Sequence, residues 1–170
     1  MTNDLASLTL PDWLARADAV KPRTQAFING RFVPAASGRT FSDIGPRDGQ
    51  PIADVAEGGL EDVDRAVQAA RTAFDDGRWA NRKPMDRKRV LLRFAELIRA
   101  DREHLALLES LDVGKPIRDT LNVDVPSCAT TIQWYAETID KAYGQIGPTG
   151  PDALSLVTRE PIFQAEMIKG

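Results

Sequence analysis

Reactive sulfur and imidazole are nearly absent from this 170-residue chain, which has one cysteine, Cys128, and one histidine, His104. A single cysteine excludes an internal disulfide and fits a reducing compartment. The two residues together cannot assemble the four ligands of a Cys/His zinc site. Long apolar runs are also missing, and none approaches the roughly 18 residues needed to span a bilayer. The first residues include Asp4 and no basic cluster, so they do not read as a signal peptide. A cytoplasmic protein is expected. Nor is there a surplus of basic charge: 22 Lys and Arg against 25 Asp and Glu leave a net charge of −3. That balance gives no field to hold phosphate backbones or anionic lipid, so neither nucleic acid nor membrane is an expected partner. The dinucleotide fingerprint GxGxxG occurs nowhere.

What is present is ordinary for a globular protein, with 42% apolar and 28% charged residues. The length suits one domain of about 100 to 200 residues. Such a chain buries roughly 70% of its unfolded surface, enough for a core.

Local signals organise the chain. Leu10-Pro11-Asp12-Trp13 starts a short helix, with proline tolerated in its first turn, and Lys21-Pro22 ends it. Two apolar pairs around Asn29-Gly30 predict a hairpin over Phe27 to Val33, because both central residues accept positive φ. Further strands are predicted at Thr40 to Ile44 and Ile52 to Val55, around the turn Pro46-Arg47-Asp48-Gly49. Helical periodicity follows at Leu60 to Phe74, stopped by Gly77, then at Met85 to Ala100 and Glu103 to Val113, with a break near Asp101. A further helix is predicted over Asp124 to Tyr143, with Cys128, Ile132, Tyr135, Ile139 and Ala142 on its apolar face and Gly144 as its left-handed C-terminal residue. Leu154 to Thr158 reads as a strand.

Few residues carry chemistry. Gly114-Lys115-Pro116 contains the Gly-Lys pair of phosphate loops, but Pro116 stands where a hydroxyl should hold magnesium and Glu109 where the first glycine should be. The turn is therefore structural: Gly114 closes one helix and Pro116 blocks its continuation. Cys128 has no His, Lys or Arg one helical turn away to activate it, so a core thiol is expected. His104 reads as a surface helix residue. Asp124, ahead of Val125-Pro126-Ser127, fits a helix N-cap.

The segment Leu111-Asp112-Val113-Gly114-Lys115-Pro116, the patch Trp134-Tyr135-Ala136, and the later Arg159-Glu160-Pro161 resemble the opening region of NAD(P)-dependent aldehyde dehydrogenases. Phe27-Ile28-Asn29-Gly30, the helix from Asp62 to Arg71, and Trp79 with Pro84 and Arg87 extend the resemblance in the same order. It covers about Phe27 to Ile162. Leu-Asp-Val-Gly-Lys-Pro-Ile-Arg and Trp-Tyr-Ala-Glu-Thr-Ile-Asp-Lys are most similar to the branch that oxidises γ-glutamyl-aminobutyraldehyde and other ω-amino aldehydes in polyamine breakdown.

The resemblance implies an α/β, mixed α+β, arrangement: an N-terminal hairpin and strands, three to four packed helices, and a C-terminal strand of an oligomerisation arm. Residues 1–24 would be a leader and 25–143 the helical and β body. Residues 144–162 would begin the arm strands and the lead into a cofactor domain, and 163–170 form a tail that departs from the family pattern. Val123, Asp124, Ser127 and Trp134 would face or flank an aldehyde tunnel, where an acidic Asp124 suits a cationic amine. Asp112 would ligate a monovalent cation with backbone carbonyls of the Asp43-Ile44 strand, or else only stabilise its turn. In such enzymes a cysteine thiolate attacks the aldehyde and hydride passes to NAD or NADP. The nucleophilic cysteine, its asparagine and glutamate, and the cofactor domain belong to later parts of the family's length. The chain is therefore expected to be a truncated, inactive dehydrogenase that binds no cofactor alone. Alternatives are a module docking on full-length subunits, a homo-oligomer component, or one part of a split enzyme. Apolar faces such as Leu91, Phe94 and Ile98 should be partly exposed.

Overall fold

Asn29 and Gly30 take φ of +51° and +76°, and between them the chain reverses so that β1 (Ala26–Ile28) pairs antiparallel with β2 (Arg31–Val33). The computed structural model describes residues 8–160; the first seven residues of the expected leader, and Pro161 with the tail expected over 163–170, lie outside the described residues. Before the hairpin, α1 (Leu10–Asp18) forms where the Pro11 signal put it. The Asp12 carboxylate accepts from the Thr9 N–H at 2.8 Å and so caps that helix. After the hairpin, β3 (Thr40–Ile44) and β4 (Pro51–Ala56) form a second antiparallel pair. A third pair, β5 (Gln145–Gly147) with β6 (Ser155–Val157), closes the described chain. The three pairs are separate two-stranded sheets.

Between them lie the helices α2 (Leu60–Asp75), α3 (Pro84–Ala100), α4 (Arg102–Val113), α5 (Ile117–Asp119) and α6 (Val125–Thr138). The buried carboxylate of Asp62 ties α2 to the segment after β2: it accepts from the Ala36 N–H at 3.0 Å and the Gly59 N–H at 3.1 Å. A buried carboxylate persists because these donors replace its water. The helical core is small. Ala106, Leu121 and Val125 form its centre, and Trp13, Ile98, Leu105 and Ile117 pack around it. Trp13 and the Arg16–Glu103 ion pair thus fasten α1 onto α4.

The last helical region departs from the sequence reading in three ways. First, helical backbone begins at Ile117, and Asp124 does not cap α6: its φ and ψ, −65° and −56°, are helical and its side chain makes no cap bond. Second, residues Thr120–Asp124 form a π-helical turn, in which the Val125 N–H donates to the Thr120 carbonyl. Proline supplies a reason. The carbonyl of Leu121 has lost its α partner to that shift, and its π partner would be Pro126, which has no N–H. Arg102 fills the gap, its Nε donating to the Leu121 carbonyl at 2.7 Å and its Nη2 to Asn122 Oδ1 at 2.7 Å. The wholly buried Thr120 hydroxyl donates to the Ala106 carbonyl of α4 at 2.9 Å.

Third, α6 ends at Thr138, and Gly144 is not left-handed. A Cβ on Gly144 would lie 2.7 Å from the Val157 carbonyl oxygen, so this glycine serves the close approach of the last hairpin. The buried face of α6 is Val125, Ala129 and Ala136, set one residue off the expected stripe. Small alanines there, with Ala95 of α3, let the two helices approach closely and leave larger residues outward. Lys88 Nζ donates to both Asp140 oxygens at 3.1 Å, and Arg99 Nη2 to Gln133 Oε1 at 2.6 Å, clasping α3 to α6 and the turn beyond it. Of the apolar side chains expected at the surface, Phe94 is 50% exposed, whereas Leu91 and Ile98 are half-buried.

Replacing Arg102 with Met should strand the Leu121 carbonyl and lower unfolding free energy by about 1 to 3 kcal/mol, measured by urea denaturation. Asp140 supplies a pH test. Bonds from Lys88, then Lys141, hold its carboxyl below the usual range. The charged form is therefore favoured in the folded chain, and its contribution exists above about pH 4 and fades as pH falls through the lowered value. Asp140→Asn should lower the melting midpoint at pH 7 and match the unsubstituted chain in strong acid.

Candidate functional site

The four tunnel residues named from the sequence fall on the π turn and on α6. Ser127 and Trp134, two helical turns apart, share one face of α6, and both are exposed, Trp134 to 58%. Val123, on the π turn four residues before Ser127, is exposed as well. The Trp134 indole stands edge-on to Tyr135, ring centroids 4.9 Å apart. Asp124 differs from these three. Its carboxylate accepts from Lys115 Nζ at 2.5 Å, and its side chain is 29% exposed.

The pairing of Lys115 with Asp124 has no signal in the sequence, because no local spacing rule joins residues nine apart across a bend. The position of Lys115 is fixed from both sides. Gly114 ends α4 in the left-handed region with φ of +76°, and a Cβ there would lie 2.8 Å from Pro46 Cγ in the β3–β4 turn. The Ser110 hydroxyl donates to the Lys115 carbonyl at 2.7 Å. The hydrogen bond to Asp124 is the largest of the effects that raise the Lys115 ammonium above its ordinary pKa, with the charges of Asp124, Glu109 and Asp119 adding to it.

Seating Gly114 on Pro46 also brings the end of α4 against β3, and the carboxyls of Asp43 and Asp112 meet. Burial pushes the Asp43 carboxyl up, and the neighbouring Asp112 charge and hydrogen bond push it further. The β3–β4 register shifts between Asp43 and Ile44, and Pro51, opposite Ile44, has no N–H for the ladder. Two carboxylates at a strand irregularity are chemically suited to a hard cation, but they supply only part of an oxygen shell. Among the described residues no group of three or more His, Cys, Asp or Glu side chains could hold a metal ion.

The other reactive residues lie elsewhere. Cys128 is exposed, not the core thiol that its place on the predicted apolar stripe suggested. The displaced stripe explains this: Ala129, the next residue, faces inward instead. His104 is half-buried beside a groove of about 590 Å³ between the end of α1 and the α3–α4 corner, lined also by Arg16, Lys21, Asp101 and Glu103. Each described sheet is an antiparallel hairpin without a βαβ crossover, and the one Gly-Lys turn commits its lysine to Asp124. No described helix is long and apolar enough to cross a membrane.

Comparison with known proteins relates this architecture to a much longer one. Aminoacetaldehyde dehydrogenase of Pseudomonas aeruginosa is 46% identical over 155 residues, covering 91% of this chain and 31% of that protein. The NADP/NAD-dependent aldehyde dehydrogenase PuuC of Escherichia coli is 43% identical over 88% of this chain and 30% of its own length. Among solved structures, a mutant of P. syringae indole-3-acetaldehyde dehydrogenase AldA in complex with NAD+ and IAA superposes with a TM-score of 0.89 at 48% identity, over 91% of this chain and 31% of that one. The γ-glutamyl-γ-aminobutyraldehyde dehydrogenase of Burkholderia cenocepacia gives a TM-score of 0.82 at 49% identity, over 84% and 29%. The chain thus spans about a third of the length of these relatives. The profile of the Aldehyde dehydrogenase family matches residues 32–168, and with the shared fold and sequence this places the chain in that family.

Proposed function

We propose that this polypeptide supplies the substrate-facing and assembly portion of an NAD(P)-dependent aldehyde dehydrogenase whose substrate is an ω-amino aldehyde of polyamine catabolism. What supports the reading is the exposed strip of Val123, Ser127 and Trp134 beside the acidic Asp124, together with relatives that include aminoacetaldehyde and γ-glutamyl-γ-aminobutyraldehyde dehydrogenases. In this reading residues 25–143 are the body and 144–162 begin the arm that meets other subunits. Asp112 and the Ile44 carbonyl, with the adjoining Asp43 carboxylate, contribute to a monovalent cation site that other parts of the family's length complete. In this reading the strip binds and orients the aldehyde. The oxidation itself needs a nucleophile and a nicotinamide site that these residues do not form.

The chain alone should therefore be inactive in the cytoplasm and act through partners, either further copies or full-length homologous subunits. A specific feature favours this docking role. The β5–β6 hairpin is an isolated two-stranded ribbon that exposes Ile146 to 74% and Leu156 to 61%, with Leu154 and Val157 beside them. Open strand edges with apolar side chains accept a partner strand.

Two measurements test the proposal. The purified chain with NAD or NADP and 3-aminopropanal should form no reduced nicotinamide above the enzyme-free blank, and steady turnover would overturn its assignment as a non-catalytic portion. In sedimentation velocity the chain should associate, and Ile146→Lys with Leu156→Lys should return it to monomer. A monomeric unsubstituted chain would count against the assembly role.

A further inference from the structure

Resting on the reading that Val123, Asp124, Ser127 and Trp134 border the aldehyde's path, we propose that Lys115 is a specificity residue that tempers recognition of a cationic amine by occupying Asp124 itself. The carboxylate that the sequence offers to a substrate ammonium already holds one, at 2.5 Å. A primary ammonium on an alkyl stem is the group that an ω-amino aldehyde presents, so Lys115 is an intramolecular stand-in for that end of the substrate.

Both partners are positioned before they meet. Lys115 is fixed at its backbone by the left-handed Gly114 against Pro46, by Pro116, and by the Ser110 hydroxyl. Asp124 sits on the π turn, which Arg102 and Thr120 fasten to α4. Little further ordering is needed to form the pair, which makes it a competitive occupant. The contact uses Asp124 Oδ2, the side chains remain 44% and 29% exposed, and the pair is therefore open to exchange. An arriving ammonium must displace Lys115 or share one carboxylate with a like charge. A displaced Lys115 can turn to water, because its side chain is 44% exposed. A neutral aldehyde meets no such competition. Lys115 thus narrows the advantage that Asp124 would otherwise give to amino aldehydes over uncharged ones.

The test uses the 170-residue chain and two unreactive probes, 3-aminopropan-1-ol and its neutral counterpart propan-1-ol, titrated while NMR follows the Val123, Asp124 and Ser127 amides and the Trp134 indole. Lys115→Met should tighten the amino alcohol about two- to fivefold relative to propan-1-ol, the range expected for release of an exposed ion pair. Lys115→Arg keeps the charge and should keep the original ratio. Adding Asp124→Asn to Lys115→Met should abolish the gain. Local binding of both probes with a ratio unchanged by Lys115→Met, in a variant with unaltered circular dichroism, overturns the role of Lys115 and leaves the tunnel reading standing. Failure of either probe to move these resonances in any variant overturns the tunnel reading, and the proposal with it.

Discussion

A carbonyl that the helix cannot satisfy organises the centre of this structure. Pro126 offers no N–H, the Val125 N–H is taken by Thr120, and the Leu121 carbonyl is left for a side chain from another helix. Arg102 meets it at 2.7 Å, while the Thr120 hydroxyl returns a bond to Ala106. These contacts connect α4 with the helical path from Ile117 to Thr138 around the small core of Ala106, Leu121 and Val125. A buried or half-buried carbonyl without a donor costs more than one ordinary hydrogen bond contributes. The brace therefore matters beyond its area. π turns are commonly found at functional sites, and this one carries Val123 and Asp124.

The local code of the sequence was clear wherever backbone geometry forced a residue type. Asn29-Gly30 dictated a hairpin, Gly114 ended a helix in the left-handed region, and the proline before Asp12 marked the start of α1. The helical periods of α2 to α4 were equally legible. The reading failed where packing chose among residues of similar character. Cys128 and Tyr135 make a more obvious apolar stripe than Ala129 and Ala136, yet the alanines are inside because α3 and α6 approach closely there. Side-chain partners distant in sequence were also hidden. Asp124 has every local mark of an N-cap, and its pairing with Lys115 follows only from the turn that Gly114 and Pro46 build.

Family membership gives these features a common setting. A chain that superposes on a third of a dehydrogenase exposes Phe94, Trp134 and the β5–β6 hairpin, surfaces that a larger assembly can cover. The same chain pairs Lys115 with Asp124 on the π turn that also carries the exposed Val123. In the proposed reading, assembly and selection fall to separate parts of one small fold: the β5–β6 hairpin for the first, the π turn for the second.

The most direct measurement is amide hydrogen exchange in the unsubstituted chain and in Arg102→Met. If Arg102 holds the π turn to α4, exchange should accelerate most over residues 117–130, sparing α2 and the β1–β2 hairpin by comparison. Uniform acceleration, or unchanged protection across 117–130, would contradict the claim that this one brace positions the candidate site.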